Sequence, residues 1–108
     1  MARKARIEWT EPALNNLFEI ARFIMADDPA AAIRFAAIVR RKVGRPAAFP
    51  SSGRMVPEFP GSDLREIILG DYRVIYRIER SPSVVRMLTV RHGARRLEPE
   101  AEGSTPRS

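Results

Sequence analysis

Leu64-Arg65-Glu66-Ile67-Ile68-Leu69-Gly70-Asp71-Tyr72-Arg73-Val74-Ile75-Tyr76-Arg77-Ile78-Glu79 is the stretch whose reading decides the fold. Hydrophobic residues recur with period two on both sides of a Gly-Asp pair, and a period of two is the signature of a strand whose side chains alternate between faces. Glycine accepts the positive φ that a two-residue hairpin turn requires, so the two runs are read as paired antiparallel strands. On the second strand Tyr72, Val74, Tyr76 and Ile78 share one face and Arg73, Ile75, Arg77 and Glu79 the other. The apolar set is expected to cover the helices.

Downstream, Ser81-Pro82-Ser83 supplies a turn and Val84 to Arg91 a last strand, completing a three-stranded antiparallel meander. After His92-Gly93 the chain turns polar, and residues 98–108 are expected to form a flexible tail beyond a single domain spanning 1–97. Upstream, Pro50 to Asp63 is rich in proline, glycine and serine and is read as one long surface loop. Two helices precede it. Thr10 and Asp28 stand where an N-cap oxygen can accept a free backbone N–H, each followed closely by a proline whose missing N–H costs nothing in a first turn. Leu14, Leu17, Phe18, Ala21, Ile24 and Met25 form the apolar stripe of the first helix, and Ala32, Phe35, Ala36, Val39 and Val43 that of the second. Lys4 to Trp9 is an opening strand. The expected class is α+β: an N-terminal strand, an antiparallel helical hairpin, then the meander.

A chain of 108 residues holds one hydrophobic core. With no cysteine and the single His92, the sequence excludes disulfides, cysteine zinc sites and thiol nucleophiles, and neither metal nor cofactor is expected. No apolar run approaches a membrane span or a signal peptide core, so a cytoplasmic location without membrane attachment is expected. The formal net charge of +6 points to an acidic partner, and eight arginines lie between Arg65 and Arg96 against only Glu66, Asp71 and Glu79.

The element order resembles the RelE/ParE toxins of type II toxin–antitoxin systems when it is taken with five short stretches. These are Trp9-Thr10-Glu11-Pro12-Ala13, Gly53-Arg54-Met55-Val56-Pro57-Glu58, Leu64-Arg65-Glu66-Ile67, Tyr72-Arg73-Val74-Ile75-Tyr76-Arg77-Ile78 and Val90-Arg91-His92-Gly93-Ala94-Arg95. The resemblance implies a β-α-α-β-β-β fold and a toxin bound in a hetero-oligomer by a cognate antitoxin, a segment of which folds onto it. An amphipathic partner segment would use the helical hairpin or a sheet edge, with Phe18, Arg22, Arg34, Arg41 and Arg77 as candidate contacts.

Two mechanisms exist within such a family. A RelE-like toxin is a metal-independent endoribonuclease that cuts messenger RNA on the ribosome. Attack of a ribose 2′-hydroxyl on the adjacent phosphate requires a base, an acid and cations for the developing charge. His92 is the candidate catalytic group. The RNA-cleaving members commonly place a tyrosine or histidine after the last strand, whereas this chain continues Arg95-Arg96-Leu97-Glu98-Pro99. A ParE-like toxin instead binds DNA gyrase and needs a surface rather than an acid and base, and its cognate antitoxin is ParD-like. The His-Gly-Ala-Arg stretch resembles that branch, with Arg65, Arg73, Arg95 and Arg96 as the target-binding candidates. A third reading is a basic module that touches nucleic acid through phosphates without chemistry.

Overall fold

The computed structural model describes residues 5–80 and 83–93, with only the backbone of Arg80. The elements are β1 (Arg6–Trp9), α1 (Glu11–Asp27), α2 (Pro29–Val43), α3 (Arg45–Ala48), a 3-10 turn (Pro50–Ser52), β2 (Arg54–Met55), β3 (Leu64–Leu69), β4 (Tyr72–Arg80) and β5 (Ser83–His92). The expected α+β class and hairpin-then-meander order are found. The domain boundary at residue 97 and the tail over 98–108 lie outside the described residues.

The five strands form one sheet in the order β1-β5-β4-β3-β2. β3, β4 and β5 are the antiparallel meander, and Leu69 pairs Tyr72 across Gly70-Asp71, with Gly70 at φ +63° as a tight turn requires. β1 adds to β5 in parallel, Ile7 opposite Val85. β2 corrects the reading of Pro50 to Asp63 as a plain loop: Arg54 and Met55 pair antiparallel with Glu66 and Arg65. Two exposed residues carry no periodicity, which is why the strand is silent in the sequence.

Both helix starts behave as their capping residues dictate. Thr10 Oγ1 accepts from the Ala13 N–H (3.2 Å) and donates to the Met87 carbonyl (2.9 Å), tying the start of α1 to β5. Asp28 closes α1 and opens α2, its Oδ1 accepting from the N–H groups of Ala30 and Ala31. One connecting residue therefore folds the two helices into a hairpin.

The hairpin covers the sheet face predicted for it. Val74, Tyr76, Val85, Met87, Val90 and Leu69 are buried there with Ala13, Phe35 and Val43, and Leu17, Ile20, Ile24, Ile38 and Val39 pack around them. The apolar stripe of α1 is rotated from the expected one: Ala13, Leu17, Ile20 and Ile24 face the sheet, while Phe18 and Met25 are 56% and 55% exposed. α1 is apolar over a wider arc than one sheet contact can cover, so part of its hydrophobic surface is left facing outward. The opposite sheet face is not bare either. Residues after β2 cross it, and Val56, Leu64 and Ile75 are buried there beside Phe59 and Leu88.

Candidate functional site

Alternation along β4 sends Arg73 to that second face, and the crossing segment encloses it. Its guanidinium donates from Nη1 to Glu66 Oε1 (2.8 Å) and Glu58 Oε1 (3.0 Å), and from Nη2 to Glu58 Oε2. Glu66 also receives Arg54 Nε. The Glu58 hydrogen bonds and, after them, Glu66 hold the Arg73 guanidinium above its already high range despite the opposing cost of desolvation. Arg73 is 3% and Glu66 1% exposed. Arg73, expected among the target-binding residues, is thus enclosed in this structure, where its side chain fastens the segment after β2 to the sheet. Breaking a buried pair of this kind from one side costs about 3–5 kcal/mol, because the carboxylates stay behind uncompensated.

The hairpin register shows why Arg73 and Glu66 meet. Ile68 lies opposite Arg73 and Glu66 opposite Ile75, so Glu66 and Arg73 are diagonal neighbours on one face. That diagonal was available from the Gly70-Asp71 turn alone. Glu58 was not, since its arrival depends on the path of a segment with no periodicity.

Arg65 lies on the other face. It is opposite Tyr76, half-buried, and its Nη1 donates to the Gly53 carbonyl (3.2 Å). The two described members of the expected target-binding set are thus on opposite sides of the sheet and do not form one surface. Arg95 and Arg96 lie outside the described residues. His92 is exposed at the end of β5, its ring edge-on to Tyr72 at 5.4 Å, and Tyr72 in turn is edge-on to Phe35 at 5.7 Å. The imidazole therefore lies at the rim of the core, at the end of the sheet that holds the Gly70-Asp71 turn.

The antitoxin candidates divide by element. Phe18 and Arg22 on α1 are both exposed and one helical turn apart, so they share a face. Arg34 and Arg41 on α2 are exposed, with Arg34 3.7 Å from Asp28. The same hairpin exposes Phe23, Met25 and Ile33 at 73%, 55% and 71%. Arg77 stands apart on the second sheet face, where its Nε meets Asp63 at 3.3 Å. Nearby, Arg86 grips Glu79 through Nε and Nη2 (2.9 and 2.8 Å) and Glu8 through Nη1 (2.7 Å), binding β1, β5 and β4 together. Arg86 lowers the Glu79 carboxyl below its ordinary range, and Arg6 first, with Arg86, does the same for Glu8. Among the described residues, no group of three or more His, Asp or Glu side chains is placed to hold a metal ion.

The arrangement is thus a basic chain with an internally compensated second face and an apolar, arginine-flanked helical hairpin. Residues 7–97 match the profile of the ParE toxin of the type II toxin–antitoxin system parDE. The chain belongs to the ParE toxin family. A protein of Sinorhizobium fredii (strain NBRC 101917 / NGR234) named "Putative toxin Y4kP" is 44% identical over 96 residues, covering 85% of this chain and 91% of that protein. The ParE-type fold recurs in the chromosomal ParDE toxin–antitoxin system of P. aeruginosa, with a TM-score of 0.68 and 15% identity over 84% of this chain and 98% of that one. The RelBE2 toxin–antitoxin complex of Mycobacterium tuberculosis is similar at a TM-score of 0.58 and 22% identity, over 82% and 98% of the two chains. At those identities the two structures speak for the fold.

Proposed function

We propose that this ParE-family chain is a cytoplasmic toxin that arrests growth by binding DNA gyrase and is neutralised by a ParD-like antitoxin in a hetero-oligomer. The observation that carries the binding mechanism over a nuclease is the enclosure of Arg73 between Glu58 and Glu66. An RNA-cleaving site draws on cations aimed at the scissile phosphate. Here the arginine of the middle strand is already met by two carboxylates, and Arg65 projects from the opposite face. A binding toxin needs neither of them as a catalytic donor.

The antitoxin reading rests on the hairpin. Phe18, Phe23, Met25 and Ile33 are apolar surface beyond what the core needs, and Arg22, Arg34 and Arg41 border it. An amphipathic segment with acidic flanks suits that surface, its apolar side chains covering the exposed rings. No helix among the described residues is long and apolar enough to cross a membrane, which accords with the proposed location.

Purified chain added to gyrase and relaxed plasmid is expected to inhibit supercoiling, and the protein encoded beside its gene to restore it. Cleavage of messenger RNA on added ribosomes, with supercoiling untouched, would replace this reading with the nuclease.

A further inference from the structure

Cations and carboxylates are unevenly matched among the described residues. Arg6, Arg34, Arg54, Arg73, Arg77 and Arg86 each meet a carboxylate. Arg40, Arg41, Lys42 and Arg45 are absent from those pairs, and they follow one another through the last turn of α2 into α3. Of the other arginines, Arg22 stands exposed on α1, and Arg65 donates to the Gly53 carbonyl. The macrodipole of α2 favours cations in its last turn, which accounts for part of the cluster. Arg45 lies beyond that turn, and Lys42 leaves the helix for the sheet, its Nζ donating to the Ile68 carbonyl (3.2 Å).

Lys42 and Arg45 line a slot of about 260 Å³ together with Ser52 and Gly53 from the segment that follows α3 and Ile67 from β3. Glu66 also reaches the slot, but Arg54 and Arg73 already engage its carboxylate. An ammonium has three N–H donors and no acceptor, so Lys42 keeps two for another group after serving Ile68, and the Arg45 guanidinium adds its planar fork. Donors of this kind suit a tetrahedral anion with several acceptor oxygens, which describes a phosphate group. A second feature lies beside the slot. Phe49 joins α3 to the 3-10 turn Pro50–Ser52, is 66% exposed, and belongs to neither apolar cluster of the core. An exposed aromatic ring next to cations is the combination that holds a nucleic-acid strand, phosphate on the cations and base on the ring. Bases inside a duplex have both faces covered by their neighbours, so the ring selects an unpaired strand.

We propose that the corner formed by the end of α2, α3 and the 3-10 turn is a binding site for single-stranded nucleic acid, with a backbone phosphate on Lys42 and Arg45 and an unpaired base stacked on Phe49. The strand is held there and not cut, because its phosphate meets cations only and the carboxylate within the slot is already occupied. This goes beyond the gyrase reading and does not depend on it. The site also lies apart from the arginines of the strands, where the sequence concentrates its charge: Arg73 and Arg86 are tied to carboxylates, and the unmatched cations are those at the end of α2.

The test titrates the full chain into fluorescein-labelled oligothymidylate, oligouridylate and a duplex of the same length, reading anisotropy over a series of salt concentrations. The variants are Lys42→Gln/Arg45→Gln, the charge-preserving Lys42→Arg/Arg45→Lys, Phe49→Leu, and Arg22→Gln as a control on α1, each checked for retained melting. The proposal expects a single strand to bind more tightly than the duplex, and the strand preferred, DNA or RNA, names the source of the phosphate. Lys42→Gln/Arg45→Gln should flatten the dependence of log K on log salt by about 0.7 for each contact removed, while Lys42→Arg/Arg45→Lys keeps most of that slope. Phe49→Leu should weaken single-strand binding by about tenfold at unchanged slope. Absence of binding, equal affinity for the duplex, or indifference to Phe49→Leu overturns the proposal. So does a loss of slope in Arg22→Gln equal to that per contact at Lys42 and Arg45, which would mean diffuse charge without a site. Each of these outcomes leaves the gyrase reading standing, since supercoiling is measured separately.

Discussion

Tyr76 and Arg73 lie three residues apart on β4, on opposite faces, and both are closed off from solvent. Tyr76 is 0% exposed; its hydroxyl donates to the Pro50 carbonyl (2.7 Å) and accepts from the Gly53 N–H (2.9 Å). Gly53 must be glycine for this contact, because a Cβ there would lie 2.5 Å from the phenol oxygen and 2.8 Å from the Glu66 carbonyl oxygen. Truncating Tyr76 to alanine is expected to cost about 3–5 kcal/mol in a denaturant titration. Arg73→Met is expected to cost a similar amount by stranding Glu58 and Glu66, whereas a merely surface-exposed arginine would leave stability within about 0.5 kcal/mol. Burial also raises the Tyr76 phenol above its ordinary value of 10.0. Its contribution is complete below that value and is lost as pH rises through the raised one, so Tyr76→Phe should blunt alkaline unfolding. The inward face of Tyr76 was legible from alternation. The enclosure of Arg73 was not, because alternation names a face and says nothing of what crosses it.

The hairpin and the meander were legible as elements because each carries its own local signals: Thr10 and Asp28 at the helix starts, Gly70 at the turn. Thr10 does more than cap. It bonds β5 through its hydroxyl and its N–H, both on the Met87 carbonyl, so the start of α1 is fixed to the strand that also carries β1. Thr10→Ala is expected to cost about 1–2 kcal/mol, more than a peptide cap, and Thr10→Ser much less, measured by thermal melting. The parallel pairing of β1 with β5 and the two-residue β2 were not legible. Both are long-range matches between segments too short to announce a period, fixed by the rest of the sheet rather than by their own residues. The rotated stripe of α1 has the same origin: periodicity found the apolar arc but not the part of it that the sheet takes, and the remainder, Phe18 and Met25, faces outward.

At the scale of the whole molecule, the formal charge of +6 is distributed unevenly in its availability. Arg73 and Arg86 are spent on carboxylates of neighbouring strands and the crossing segment, whereas Arg22, Arg34 and Arg41 border the exposed apolar side chains of the hairpin. A count of arginines in the second half of the sequence therefore overstates the charge available there, since Arg73 and Arg86 are already met by carboxylates. Family membership fits a type II toxin, and inhibition by binding rather than by cleavage is the part of the proposed function that is open to test. The direct measurement is labelled-precursor incorporation into DNA, RNA and protein in a bacterial host expressing the chain without its partner, alongside His92→Ala. Gyrase inhibition by binding predicts an early fall in DNA synthesis that His92→Ala leaves intact. An early fall in protein synthesis with cleaved messages, abolished by His92→Ala, would contradict it.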